Sequence, residues 1–168
     1  MGKSTSNSYL APRRGPAVDK LRKQLSEYFS QKGFNVSSKY PYILADRDEW
    51  GNNMVLDSIT NYIRGVKVES ENNRKPFPLH KYIHHGLSSQ AMLFNLLGVF
   101  ISDKMYFIFD EILRAAGVNA TGKVIKVTLE REDRNIFNEA FGQPTSIDIA
   151  FDTDAKEYYF CEFKFIEA

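Results

Sequence analysis

The sequence predicts an α/β (α+β) fold in which a helical N-terminal half packs on a mixed β-sheet. Three stretches carry that reading. Ser88 to Ser102 (SSQAMLFNLLGVFIS) is apolar nearly all round, as a helix buried against a sheet is. Lys123 to Glu130 (KVIKVTLE) is a β-run, the first strand of the sheet. Thr145 to Ala168 (TSIDIAFDTDAKEYYFCEFKFIEA) divides into two strands around the polar, turn-prone Asp152-Thr153-Asp154-Ala155-Lys156.

Taken in order, Met1 to Pro16 is polar, with two Pro, two Gly and the pair Arg13-Arg14, and reads as a flexible arm. The remainder, 17–168, reads as a single domain. Ala17 to Lys32 has Val18, Leu21, Leu25 and Phe29 at helical spacing, and Gly33 stands where a C-cap belongs. This helix packs either on the core or on an adjacent subunit, which leaves a homodimer open. Phe34 to Leu44 is aromatic, contains Pro41 and reads as irregular. Asn52 to Val66 is a helix candidate with Met54, Ile59, Tyr62 and Ile63 on its buried side. Glu69 to Lys75 reads as a charged loop, and Pro76 and Pro78 keep the next residues extended. Tyr106 to Ala116 is a second helix, ended by Gly117, and Asn135 to Phe141 is a short helical or loop excursion. No internal repeat is visible.

Composition excludes more than it selects. A hydrophobic content of 43% supplies a core and argues against wholesale disorder. A net charge of +1 gives no global basic field, so a nucleic-acid partner is neither announced nor excluded by charge. The lone Cys161 cannot form an intramolecular disulfide, and no apolar signal region or membrane-length run is present. These features point to a cytoplasmic protein without a membrane partner; MGKSTS as a myristoylation site is the weaker reading of the N-terminus.

Chemistry gathers in the C-terminal hairpin. In Ser146 to Phe151, Ile147, Ile149 and Phe151 face one way and Ser146, Asp148 and Ala150 the other. In the second strand, Glu157 to Ile166, Glu162 and Lys164 share one face, opposite an apolar row of Tyr159, Cys161, Phe163 and Phe165. Antiparallel pairing brings Asp148 close to Glu162 and Lys164. Two hard carboxylates suit Mg²⁺, which binds through one or two carboxylates and keeps several waters. The plainer reading is a solvated cross-strand ion pair of slight energetic worth. His80, His84 and His85 invite a zinc reading, but the single Cys and the lack of an HExxH spacing favour ordinary surface or core histidines, with phosphate contact as a second option.

Asp148 followed by Glu162-Phe163-Lys164 resembles the D…(D/E)xK signature of the PD-(D/E)XK nuclease superfamily. The segment Ser88-Ser89-Gln90-Ala91-Met92-Leu93-Phe94-Asn95 resembles a helix of a bacterial restriction-endonuclease-like branch. Ile147 stands where the signature usually has Pro. The resemblance covers about the second half of the chain and implies a restriction-endonuclease-like core of helix, three antiparallel strands, helix and strand. Here the last helix and strand are absent, so the implied core is incomplete at its C-terminus. It further implies Mg²⁺-dependent hydrolysis of DNA (Mn²⁺ substituting), with Asp148, Glu162 and the Phe163 carbonyl as metal ligands and Lys164 serving the attacking water. By the same resemblance Gln90 completes the catalytic set, its alternative being a cap or a backbone-bonding role. Glu130 either joins the site or pairs with a lysine. The competing function is a non-catalytic nucleic-acid-binding or assembly module on the same fold, and the third reading a structural domain with an ion pair on its sheet.

Overall fold

The computed structural model of the chain describes residues 15–74, 77–139, 141 and 145–165. The N-terminal arm falls almost wholly outside these residues, as do Pro76 and the end of the last predicted strand. Four α-helices precede a three-stranded antiparallel sheet of order β1-β2-β3. The helices are α1 (Pro16–Gln31), α2 (Asp57–Asn72), α3 (Ser89–Ser102) and α4 (Phe107–Ala115), with a 3-10 helix at Arg47–Asn53. The strands are β1 (Val124–Glu132), β2 (Ser146–Thr153) and β3 (Tyr158–Cys161). The predicted packing of helices on a sheet is therefore observed. The pairing is antiparallel throughout the described residues instead of mixed.

Local chemistry accounts for the helix ends. Pro16 opens α1, where its missing N–H has no helical partner to lose. Gly33, at φ 67°, closes it, and the Phe34 N–H bonds the Phe29 carbonyl at 3.1 Å while the two rings meet at 5.8 Å. The Ser88 hydroxyl accepts the Ala91 N–H at the start of α3, as its position predicts. Gly117, at φ 75°, ends α4 in the manner of Gly33.

Two boundaries differ from expectation. The helix anticipated over 52–66 is the tail of the 3-10 turn followed by α2, which runs on to Asn72, into the stretch anticipated as a loop. Asp46 accepts the Asp48 N–H at 2.8 Å and starts the tighter turn. Beyond Val66 no Gly or Pro intervenes before Pro76, and the Lys67–Glu71 pair at 3.9 Å supports continued helix. The last strand is shorter than the predicted Glu157–Ile166. Beyond Cys161 the Phe163 N–H is taken by the Asp148 carboxylate at 2.6 Å, so a side chain replaces the ladder partner.

The core lies between the helices and one face of the sheet. Ile59 and Ile63 of α2, Leu93 and Phe94 of α3, and Phe109 of α4 meet Val127, Leu129, Ile149 and Phe151. Each such side chain contributes about 1.5–3 kcal/mol by leaving water. The predicted apolar row of β3 joins this face through Tyr159, Cys161 and Phe163. Burial pushes the Cys161 thiol up, as befits a packed and unreactive cysteine. Among the described residues, no helix is long and apolar enough to cross a membrane.

Candidate functional site

The site is built at the end of the sheet where β1 and β2 pass the start of α3. Glu130 sets its geometry. Leu129 and Arg131 are two residues apart and should share a face, yet Leu129 is in the core while Arg131 lies over the Tyr158 and Phe160 rings and bonds Asp152 at 2.7 Å. Between them Glu130 adopts φ 50°, a left-handed conformation uncommon outside glycine, and the alternation breaks there. The Glu130 side chain is consequently buried, at 9% exposure.

Its two oxygens have separate donors. The Gln90 amide gives Oε1 a bond of 2.7 Å and the Ser146 hydroxyl gives Oε2 one of 3.0 Å. Of the two sequence-based options for Glu130, lysine pairing is thus replaced by an amide and a hydroxyl. Burial raises its carboxyl above the ordinary range; the two donors hold it back, and the negative charges of Asp148 and Glu162 raise it further. Three carboxylates therefore feel one another at this end of the sheet.

Asp148 sits two residues along from Ser146, and Ile149 pairs with Cys161, so Asp148 comes level with Glu162. One Asp148 oxygen accepts the Phe163 N–H, which turns the 162–164 segment past the strand end. Glu162 and Lys164 lie 3.8 Å apart, their side chains 50% and 63% exposed. The local sequence does this because Phe163 packs on the core, leaving its two charged neighbours to point away.

Gln90 uses its whole amide. Oε1 accepts the His80 N–H at 2.8 Å, while Nε2 donates to the Pro78 carbonyl at 2.9 Å and to Glu130. It fastens the 78–80 loop to β1. A second clip comes from Asn53, only 8% exposed, whose amide donates to the Ile83 and His85 carbonyls at 2.9 and 2.8 Å. Asn95 in turn donates to the Asn53 carbonyl at 3.0 Å.

Gln90, Glu130, Asp148, Phe163 and Lys164 line one cleft of about 780 Å³, together with Tyr40, Tyr42, His80, Tyr82 and His85. The sequence reading weighs His80 and His85 only as zinc ligands, ordinary histidines or phosphate contacts and does not single out the tyrosines, for which the density of rings in Tyr40-Pro41-Tyr42 is the available signal. Among the described residues, no three His, Cys, Asp or Glu side chains converge as a metal cage, so the histidine zinc reading finds no support. Burial first, and neighbouring positive charge second, lower the pKa of His84 and of His85 and favour their neutral forms. The donor chemistry suits a hard cation held by few protein oxygens, since Mg²⁺ needs only one or two carboxylates and keeps its waters.

No match is found among curated proteins or among solved structures. Residues 19–168, from the first helix to the end of the carboxylate-bearing hairpin, match the family described as restriction endonuclease associating with ARP. That span holds every residue of the cleft except Val18, and the chain belongs to this restriction-endonuclease family.

Proposed function

We propose that this chain is a Mg²⁺-dependent endonuclease of the PD-(D/E)XK kind that hydrolyses phosphodiester bonds of DNA. The observation that carries the reading is the gathering of Asp148 and Lys164 in one cleft with the buried Glu130, with Glu162 3.8 Å from Lys164 and close enough for its charge to act on Glu130. Family membership supports the nuclease class.

Asp148 and Glu162, with the Phe163 carbonyl, are the residues that would hold the ion. When bound, Mg²⁺ (or Mn²⁺) supplies Lewis acidity at the phosphate and makes a water more acidic. Lys164 places an ammonium at the same spot, where it orients the attacking water and offsets charge developing on the phosphoryl oxygens. The water oxygen bonds to phosphorus as the bridging P–O bond breaks; the water gives up a proton to solvent, and the leaving oxygen takes one from solvent. Glu130 and Gln90 act behind this set: they fix where Asp148 sits relative to the start of α3.

A plasmid-nicking assay with Mg²⁺, run beside calorimetric metal titration, tests the proposal. Lys164→Ala should lose cleavage by about 10²–10³-fold while retaining metal binding, because the ammonium acts on developing charge and the carboxylates on the ion. Undiminished cleavage by that variant removes Lys164 from the chemistry. Failure of the wild type to cut any DNA refutes the enzyme assignment.

A further inference from the structure

The aromatic lining of the cleft has no part in the hydrolytic step. The core is filled by other rings: Phe29, Phe94, Phe109 and Phe151 are almost inaccessible, whereas Tyr40 and Tyr82 remain 42% and 45% exposed. Both belong to the cleft that contains Asp148 and Lys164. The two loops that carry them are tied to each other. Ile43 bridges His85, the Leu44 N–H bonds the His84 carbonyl at 3.2 Å, and the Gly86 N–H bonds the Tyr42 carbonyl at 2.9 Å. A Cβ at Gly86 would sit 2.9 Å from that carbonyl, so the approach requires glycine. Asn53 holds the same loop from the core side. The rings are thus fixed in place before any ligand arrives, which lowers the entropy lost on binding.

Cations accompany the rings. The Lys39 ammonium lies 5.2 Å from the Tyr40 ring centre, Lys81 4.7 Å from Tyr82, and the Arg22 guanidinium 5.4 Å from Tyr42. Exposed rings paired with cations, in a cleft that also carries Lys164, match a ligand with flat π-faces on an anionic backbone. The volume, about 780 Å³, is that of a site enclosing a drug-sized molecule, on the order of one or two nucleotides, and not a stretch of duplex.

We infer that Tyr40, Tyr82 and their neighbours form a stacking platform for unpaired nucleobases, so that the scissile phosphodiester is presented from a locally single-stranded segment of DNA. The inference rests on the nuclease reading for its substrate. The platform itself is tested by binding alone.

Fluorescence anisotropy in EDTA measures affinity for three probes of one length: fluorescein-labelled oligo-dT, a perfect duplex, and a duplex with an unpaired bulge. Oligo-dT and the bulged duplex should bind more tightly than the perfect duplex. Tyr82→Ala and Tyr40→Ala should each weaken oligo-dT binding by roughly 5- to 150-fold, the effect of removing one stacked ring. Both positions are exposed, so circular dichroism of these variants should match the wild type. Tyr82→Phe keeps the ring and should stay within about two-fold of wild type, which separates stacking from loss of a hydroxyl. Tight binding to oligo-dT but not to the bulge limits the substrate to free single strands; the reverse limits it to bases displaced from a duplex. Equal binding of all three probes, unaffected by either alanine, overturns the inference whatever the cleavage result. Asp148→Asn should bind oligo-dT at least as tightly as wild type. Probe discrimination retained by a wild type that never cuts DNA refutes the catalytic reading and leaves the platform standing as a binding site.

Discussion

Gln90→Ala removes a brace whose energetic worth follows from its partners. Two of its bonds, to the His80 N–H and the Pro78 carbonyl, are neutral and contribute about 0.5–1.5 kcal/mol each. The third goes to the Glu130 carboxylate, a class worth about 1.5–3 kcal/mol. Gln90 is half-buried, so water replaces part of what is lost, and the net destabilisation should be about 2–3 kcal/mol. At roughly 2–4 °C per kcal/mol for a chain of this size, Tm should fall by about 4–12 °C.

The deficit should also depend on pH. The folded-state pKa of Glu130 already lies above its ordinary value, so Glu130 favours folding when protonated and that contribution is lost as pH rises through the folded value. Without the Gln90 donor the shift grows, and the variant should lose more stability at neutral pH than in mild acid. Urea unfolding of both proteins across that range measures this directly. A difference below about 0.5 kcal/mol, or one that ignores pH, would refute the bracing role. Gln90→Glu sharpens the test, because it keeps the acceptor for His80 but turns the donor toward Glu130 into a second carboxylate. It should be the less stable variant at neutral pH and recover toward acid.

Glu130→Gln should stabilise the protein at neutral pH, where the buried charge is removed, with the gain vanishing in acid; thermal melts at several pH values read it, and a loss of stability at neutral pH would contradict the shift assigned to Glu130. Mg²⁺ at about 100 times its Kd should stabilise the wild type by about 2.7 kcal/mol. The effect should be smaller in Asp148→Asn, which keeps an acceptor for Phe163 but loses the charge, and equal thermal shifts would remove Asp148 from the metal site. Asn53→Ala should cost about 2 kcal/mol in urea melts, because it leaves the Ile83 and His85 carbonyls without their buried donor; an effect within error would mean that other contacts hold the loop.

Much of this architecture is legible from local pattern. The nearly all-apolar run of α3, with Ser88 before it, and the two-residue period of β2 each have one dominant physical cause, so sequence suffices. The alignment of Asp148 with Glu162 follows from strand parity and a short turn. What sequence does not reveal depends on backbone or on distant partners. Nothing local in VTLERE announces that Glu130 turns left-handed and sends Arg131 outward. The reach of Gln90 to Pro78, His80 and Glu130 joins residues separated by up to 40 positions. The early end of β3 arises because a carboxylate competes for the Phe163 N–H, which no periodicity encodes. The end of α2 is misread for a simpler reason: a charged run is as compatible with an exposed helical face as with a loop.

The arrangement around Glu130 works against folding stability in a way that bears on its purpose. A left-handed non-glycine residue costs on the order of 1–2 kcal/mol. The carboxyl it buries keeps a raised pKa even with two donors, so those bonds do not fully offset the lost water. The Lys164–Glu162 pair at the same place is exposed and worth about 0–1 kcal/mol at most. A cation that could balance the cluster is one residue away: Arg131. Yet the conformation of Glu130 directs Arg131 to the other face, where it bonds Asp152 and lies against Asp133 at 3.7 Å. A sheet selected only for stability would keep its alternation and place neither group so. The same backbone turn brings a carboxylate into the cleft and takes the nearest arginine out of it. The negative charge left beside Asp148 and Glu162 is what a divalent cation would offset. That is why the proposed function predicts greater stability with the ion bound than without it.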